Sequence, residues 1–137
     1  MTLHRTLSVL LLAAAGPAFA QSSGCATVVV DQVRPLQGQL MVAAYGSEAS
    51  FSKTPLVSLR LPAGEARMSF ELCGLSGERV ALMLYQDLDS DGKMGRNLLG
   101  MPTEPWGGSG TPGTFGPSWA TGAVALDGKV IAVRMSQ

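Results

Sequence analysis

Apolar and polar residues alternate with a period of two in several short stretches, and no stretch beyond residue 20 keeps a helical spacing for three turns. Because strand side chains point alternately to two faces, the pattern predicts half-buried strands and no long helix. Turn residues recur about every eight to twelve positions, which is typical of an antiparallel β-sandwich of the immunoglobulin or transthyretin kind. About seven strands are predicted, at residues 25–33, 37–45, 57–61, 67–72, 78–85, 122–126 and 129–135.

The stretches differ in what they predict about position in the fold. Residues 78–85 are the most apolar, so we expect a central strand there. Asp127-Gly128 is a strong hairpin signal and predicts that the last two strands pair with each other. Residues 98–119 are rich in Gly and Pro and have no periodicity, which predicts a long loop with a functional role. No repeat is visible, and we expect one domain over residues 21–137.

The first twenty residues have the pattern of a cleaved export signal. A basic start is followed by an apolar stretch at residues 7–15 and a small-x-small cleavage site at residues 18–20. The apolar stretch is shorter than the roughly twenty residues needed to span a bilayer. We therefore expect cleavage after Ala20, a mature chain of 137 minus 20, or 117, residues without a transmembrane segment, and a periplasmic or secreted location. An uncleaved membrane anchor is the alternative.

Cys25 and Cys73 are the only cysteines. In an oxidising compartment, two cysteines of a small exported chain usually pair, so we expect a disulfide between them. Alternation along residues 67–73 places Cys73 on the face opposite Phe70, away from the main core. Two free thiols are the alternative. Lipid attachment at Cys25 is disfavoured because the apolar stretch ends well before it.

Charge and composition exclude several classes of function. Cleavage would remove His4, the only histidine, and leave nine Lys and Arg against ten Asp and Glu, a net charge of −1. Histidine-dependent catalytic arrangements and His-ligated zinc or copper sites would then be impossible. A nearly neutral chain without a basic run has no electrostatic basis for binding nucleic acid. The six methionines that remain are scattered, so we expect them to fill gaps in the core rather than to bind a soft metal.

The acidic stretch after residues 78–85 is the candidate site. Counted from Asp87, the residues Asp87, Asp89 and Asp91 occupy positions one, three and five of a twelve-residue calcium loop. Gly92 occupies position six, where a tight turn is needed, and the carbonyl of Lys93 occupies position seven. Three crowded carboxylates repel one another unless a cation or solvent screens them. Calcium is therefore the expected ion, and a solvated acidic turn without an ion is the alternative.

The rest of the calcium pattern is incomplete. Leu98 stands at position twelve, so Asn97 or Glu104 would supply the missing ligand only in a loop that departs from helix–loop–helix geometry. The alternative for Glu104 is a carboxylate that accepts hydrogen bonds from loop amides. Trp106 and Trp119 are candidate members of a binding surface for a glycan or a peptide.

The same region carries a resemblance to a known family. Its most specific part, residues 85–107, contains Tyr85-Gln86-Asp87, Asp89-Ser90-Asp91-Gly92-Lys93-Met94, Asn97, Gly100-Met101-Pro102-Thr103-Glu104 and Trp106-Gly107. The chain resembles the domain of unknown function 2141 family of small exported bacterial proteins over nearly its whole mature length. In that family's pattern, Asn is usual where this chain has Asp89 and Asp91, so the extra charge favours a cation. Because the family has no established activity, the resemblance implies a fold and an export route but no reaction.

Taken together, the sequence predicts an exported, non-enzymatic β-sandwich whose acidic loop binds calcium structurally. The predicted ligands are Asp87, Asp89, Asp91, Lys93, Asn97 and Glu104. A module that binds a glycan or peptide partner through Trp106 and Trp119 is the alternative. A hydrolase is disfavoured because the mature chain lacks a histidine base.

Overall fold

The computed structural model describes residues 23–113, 116–128 and 130–136, so the predicted signal sequence lies outside the described residues. The described residues form eight strands, one short α-helix and one 3₁₀ turn. Their bounds are β1 Gly24–Asp31, β2 Gln39–Tyr45, β3 Val57–Pro62, β4 Arg67–Leu75, β5 Arg79–Asp87, β6 Trp106–Gly108, α1 Trp119–Gly122, β7 Val124–Ala125, the 3₁₀ turn Leu126–Gly128 and β8 Val130–Arg134.

The strands form two sheets. One has the order β4-β1-β8, and the other has the order β3-β2-β5-β6 with β7 also paired to β5. The pairings are antiparallel except that between β1 and β8, which is parallel. The predicted all-β sandwich is therefore confirmed, with eight named strands instead of about seven.

The core lies between the two sheets and follows the alternation of the sequence. On β2, Leu40, Val42 and Ala44 are buried, whereas the residues between them are only half-buried. Burial of a Val or Leu side chain contributes about 1.5–3 kcal/mol, so this inward face stabilises the pairing of the sheets. The most buried strand is β5, which lies between β2 and β6 as a central strand, as predicted.

The methionines do not all fill the core. Met68 and Met135 pack in it, as expected. The other four lie on the outer side of the five-stranded sheet, where they line two adjacent cavities: Met41, Met83, Met94 and Met101. The expectation of core filling is wrong for these four, because alternation turns Met41 and Met83 to the face opposite the core and Met94 and Met101 belong to the loop that covers that face.

The predicted hairpin at Asp127-Gly128 is wrong. Residues Leu126–Gly128 form a 3₁₀ turn, β7 pairs with β5 in one sheet, and β8 pairs with β1 in the other. A tight hairpin would keep both strands in one sheet, whereas here Ile131 and Val133 are buried from the opposite side of the core. The turn therefore carries the chain from one sheet to the other.

The long segment at residues 98–119 contains more structure than its sequence predicts. It includes the short strand β6 and the start of α1, whose N-cap is Ser118. The buried hydroxyl of Ser109 accepts a hydrogen bond from the Leu82 N–H at 2.8 Å and donates one to the Gly122 carbonyl. These bonds attach the segment to β5. Neither of the helical turns in the described part of the chain has the length or apolar character needed to span a membrane.

The predicted disulfide is confirmed. Cys25 and Cys73 are directly paired residues of β1 and β4, with a Cα–Cα distance of 4.0 Å. Both are exposed on the face away from the core, as the alternation of β4 predicts. The bridge joins positions 48 residues apart and restricts the unfolded chain.

Replacement of both cysteines by serine should lower the free energy of unfolding by about 4 kcal/mol, the chain-entropy value for a loop of this length. No core cavity is created, because both side chains are exposed. The measurement is urea unfolding of the oxidised protein and of the variant. The matched control is Thr27→Ser with Glu71→Ser, an exposed pair directly opposite on the same strands, which should change stability by less than about 1 kcal/mol. Equal losses in the two variants would contradict the prediction.

Candidate metal centre

The candidate site begins with two fully buried polar residues at the end of β5. Gln86 is 0% exposed and Asp87 is 1% exposed. The Gln86 amide donates to the carbonyls of Arg34 and Gln37, both at 2.7 Å, and accepts from the Arg34 N–H at 2.9 Å. These bonds hold the segment between β1 and β2 against the end of β5. Sequence reasoning missed Gln86, although a glutamine at an inward-facing position of an apolar strand is the signal that could have found it.

Gly38 lies against the backbone of Asp87. It has a left-handed φ of 61°, and a β-carbon at this position would overlap the Asp87 carbonyl oxygen. A glycine is therefore required for the two segments to approach so closely. Sequence reasoning also missed this contact, because Gly38 and Asp87 are 49 positions apart and meet only in the folded chain.

The acidic loop folds around the Asp87 carboxylate. Its Oδ1 accepts a hydrogen bond from the Asp91 N–H at 3.1 Å, and its Oδ2 accepts one from the Gly92 N–H at 2.8 Å. Gly92 has a left-handed φ of 79°, as expected for the glycine of a tight turn. The Oδ1 of Asp89 also accepts from Asp91 N–H at 3.2 Å, and the Oδ1 of Asp91 accepts from Lys93 N–H at 2.8 Å. Backbone amides thus define the shape of the loop.

The three aspartates meet at this turn. One carboxylate oxygen from each of Asp87, Asp89 and Asp91 lies within 4.8 Å of the other two. The pKa of Asp89 lies above its ordinary value: the Asp91 N–H hydrogen bond acts to lower it, but desolvation and the negative charges of Asp91 and Glu104 outweigh that bond. The pKa of Asp89 is thus raised first by desolvation and then by its neighbouring carboxylates, Asp87 included.

Tyr85 supports the loop from the outer face of the sheet. Its hydroxyl donates a hydrogen bond to the Gly92 carbonyl at 3.1 Å. Burial raises the pKa of Tyr85, and the negative charges of Asp87, Glu104 and Asp91 raise it further. The phenol therefore remains a donor at neutral pH.

Glu104 and Asn97 bind amides of the segment that follows the aspartates. The Glu104 carboxylate accepts from the Leu88 N–H and from the Gly95 N–H, both at 2.8 Å, as in the amide-capping alternative. The Asn97 side-chain oxygen accepts from Leu99 N–H at 2.9 Å and from Met101 N–H at 3.0 Å. Glu104 is not one of the carboxylates gathered at the turn. In this structure both side chains shape the loop around the cluster.

The two tryptophans have different surroundings. Trp106 lies on β6 and lines a cavity over the outer face of β5. Trp119 is the first residue of α1 and is not among the residues that line this cavity. The structure therefore does not gather both indole rings in one groove.

The donor set fits a hard divalent cation. Three carboxylates converge, and Lys93 occupies the sequence position at which a calcium loop uses a backbone carbonyl. Each carboxylate oxygen has two lone pairs, so one hydrogen bond to an amide leaves it able to contact an ion. Asp89 and Asp91 are exposed, so a cation from solvent would have access to their carboxylates.

The fold and this loop define a small β-sandwich with an acidic turn at the end of its central strand. Residues 28–134 match the family described as uncharacterized protein conserved in bacteria (DUF2141). The chain belongs to this family, which confirms the resemblance, and the matched range includes the whole acidic loop and Glu104. No curated protein and no solved structure matches the chain.

Glu104→Ala should lower the free energy of unfolding by about 1–3 kcal/mol, because two partly buried amides lose their acceptor. Glu104→Gln keeps one side-chain oxygen as an acceptor, so its free energy of unfolding should lie between those of the wild type and Glu104→Ala. The measurement is urea unfolding in EDTA, so that bound cations do not contribute. Glu65→Ala, at an exposed turn, is the control and should change stability by less than about 0.5 kcal/mol. If Glu104→Ala lowers the free energy of unfolding no more than the control does, the two amide hydrogen bonds of Glu104 do not stabilise the loop.

Proposed function

We propose that the protein is an exported, non-enzymatic β-sandwich whose acidic loop binds Ca²⁺ as a structural ion. The observation that carries the proposal is the convergence of the Asp87, Asp89 and Asp91 carboxylates within 4.8 Å. Oxygen ligands of this kind suit calcium, and the ion would neutralise charges that otherwise repel one another.

The ion would be held by those three carboxylates and the carbonyl of Lys93. Glu104 would act outside the ligand set, because its carboxylate does not lie with those of the three aspartates. Asn97 would hold amides of the adjoining segment. Water would complete the coordination shell, since calcium takes six to eight oxygen ligands. Such an incomplete protein ligand set corresponds to a Kd of about 10⁻⁴ to 10⁻³ M, as in extracellular modules.

Several features support export and a non-enzymatic role. The disulfide is typical of an oxidising compartment, residues 1–20 have the pattern of an export signal, and the family is bacterial. His4, the only histidine, lies within that signal pattern. The carboxylates of the loop are exposed or bonded to amides, whereas a general acid requires an apolar setting that raises its pKa strongly.

Addition of about 10 mM Ca²⁺ should stabilise the folded state by about 1.4 kcal/mol if the Kd is about 1 mM. For a chain of this size the melting temperature should rise by about 4–8 °C. The measurement is thermal unfolding with and without the ion at matched ionic strength, together with a calcium titration by calorimetry.

Asp89→Ala with Asp91→Ala should remove the calcium-dependent rise, because both positions lose the oxygens that would bind the ion. Glu48→Gln with Glu65→Gln removes two exposed charges elsewhere and should leave the rise intact. The decisive quantity is the change caused by calcium within each protein, because loss of repulsion also alters the baseline. No rise in the wild type, or an equal rise in the double Ala variant, would contradict calcium binding and favour a solvated acidic turn.

A further inference from the structure

A groove lies on the outer face of β5 and β6, on the side of the sheet away from the core. Its volume is about 280 Å³. One wall is the hairpin at residues 94–102, in which the backbones of Arg96 and Pro102 form an isolated antiparallel β-bridge. We call it the Trp106 groove, and its main lining residues are Met83, Met94, Arg96, Met101, Trp106 and Pro117.

The Trp106 groove combines an apolar lining with a single charge. Met83, Met94 and Met101 supply flexible thioether side chains that adapt to irregular apolar ligands. Arg96 is the one charged side chain among the described residues that line the groove, and it is exposed. Its Nη1 donates to the Gly100 carbonyl at 2.8 Å, which fixes the guanidinium while leaving other donors for a ligand.

We propose that the Trp106 groove binds a single-chain amphiphile with an anionic head, such as a medium-chain carboxylate. The chain lies along the methionines and Trp106, and the head pairs with Arg96. A water molecule occupies about 30 Å³ of liquid, so the groove holds about nine groups of that size, close to the number in a medium-length alkyl chain. Small-molecule sites have this composition: a mostly apolar lining with few orienting polar groups.

Two further observations favour an amphiphile over a sugar. A sugar requires several hydrogen-bonding groups, but the Tyr85 hydroxyl in the groove already binds the Gly92 carbonyl, and Trp119 lies outside the lining. The apolar surface also continues past the groove, because Leu98 and Leu99 at the tip of the same hairpin are 106% and 87% exposed. Exposed leucines beside an apolar groove suit a chain-bearing ligand.

The test is titration of sodium decanoate into the purified protein in EDTA, so that the proposed calcium site does not contribute. Calorimetry on the wild type and Trp106 emission in Trp119→Phe should both show saturable binding. Hexanoate, with four fewer methylenes, should bind about a hundredfold more weakly. Decanol should bind about fivefold more weakly than decanoate, because an exposed charge pair contributes modestly.

Matched variants locate the ligand. Arg96→Gln should weaken decanoate binding about fivefold, whereas Arg60→Gln, which alters the adjacent cavity on the same sheet face, should leave it unchanged. Met101→Glu should weaken decanoate binding at least tenfold, whereas Leu36→Glu, at an exposed leucine far from the groove, should leave it unchanged.

Three results would overturn the proposal. The first is no saturable decanoate binding up to millimolar concentration. The second is equal losses within either pair of matched variants, which would place the ligand elsewhere. The third is quenching of Trp106 by a soluble β-linked oligosaccharide but not by decanoate, which would assign the groove to a sugar.

Discussion

Buried polar atoms must find hydrogen-bond partners, and at the end of β5 this requirement determines how the surrounding loops fold. Gln86 and Asp87 are fully buried next to each other, and an unsatisfied buried group costs about 1–3 kcal/mol. The Gln86 side chain binds the segment before β2, and its backbone N–H donates to the Pro105 carbonyl at 2.8 Å. Asp87 binds the amides of the acidic loop. Segments far apart in sequence thus meet at one end of the sandwich.

The acidic cluster and the Trp106 groove depend on this arrangement. Amides that point at Asp87 hold the loop in a shape that brings three like charges together, and they offset part of the repulsion. Glu104 joins Leu88 to Gly95, so it also positions the start of the hairpin that forms one wall of the groove. The two proposed binding sites are therefore distinct in chemistry but share the same supporting hydrogen bonds.

The sequence predicts the parts of the fold that depend on local pattern. The alternation of apolar and polar residues correctly predicted most of β1–β5, the inward face of β2 and the outward position of Cys73. It failed where pairing is decided at long range. Asp127-Gly128 has hairpin chemistry, but the strands on either side of it belong to different sheets. Strand β6 is only three residues long, and its two glycines give no alternation, so its pairing with β5 could not be read from the sequence.

The candidate site also has parts that the local sequence predicts and parts that only long-range contacts determine. The turn at Asp87 was predictable because its hydrogen bonds join residues two to five positions apart. The roles of Gln86 and Gly38 were not predictable, because Gln86 binds a residue 52 positions away and Gly38 touches a strand that comes much later in the chain. Local spacing predicted the acidic turn, whereas the contacts that support this turn required the tertiary structure.

The hydrogen bonds of the acidic loop imply that backbone amides hold the carboxylate cluster together before any ion binds. Amide hydrogen exchange by NMR in EDTA tests it most directly, at Leu88, Asp91, Gly92, Lys93 and Gly95. These five amides should exchange well below the rate of an unstructured chain, because each donates to a carboxylate. Exchange at the unstructured rate without calcium, with protection appearing only when the ion is added, would contradict it.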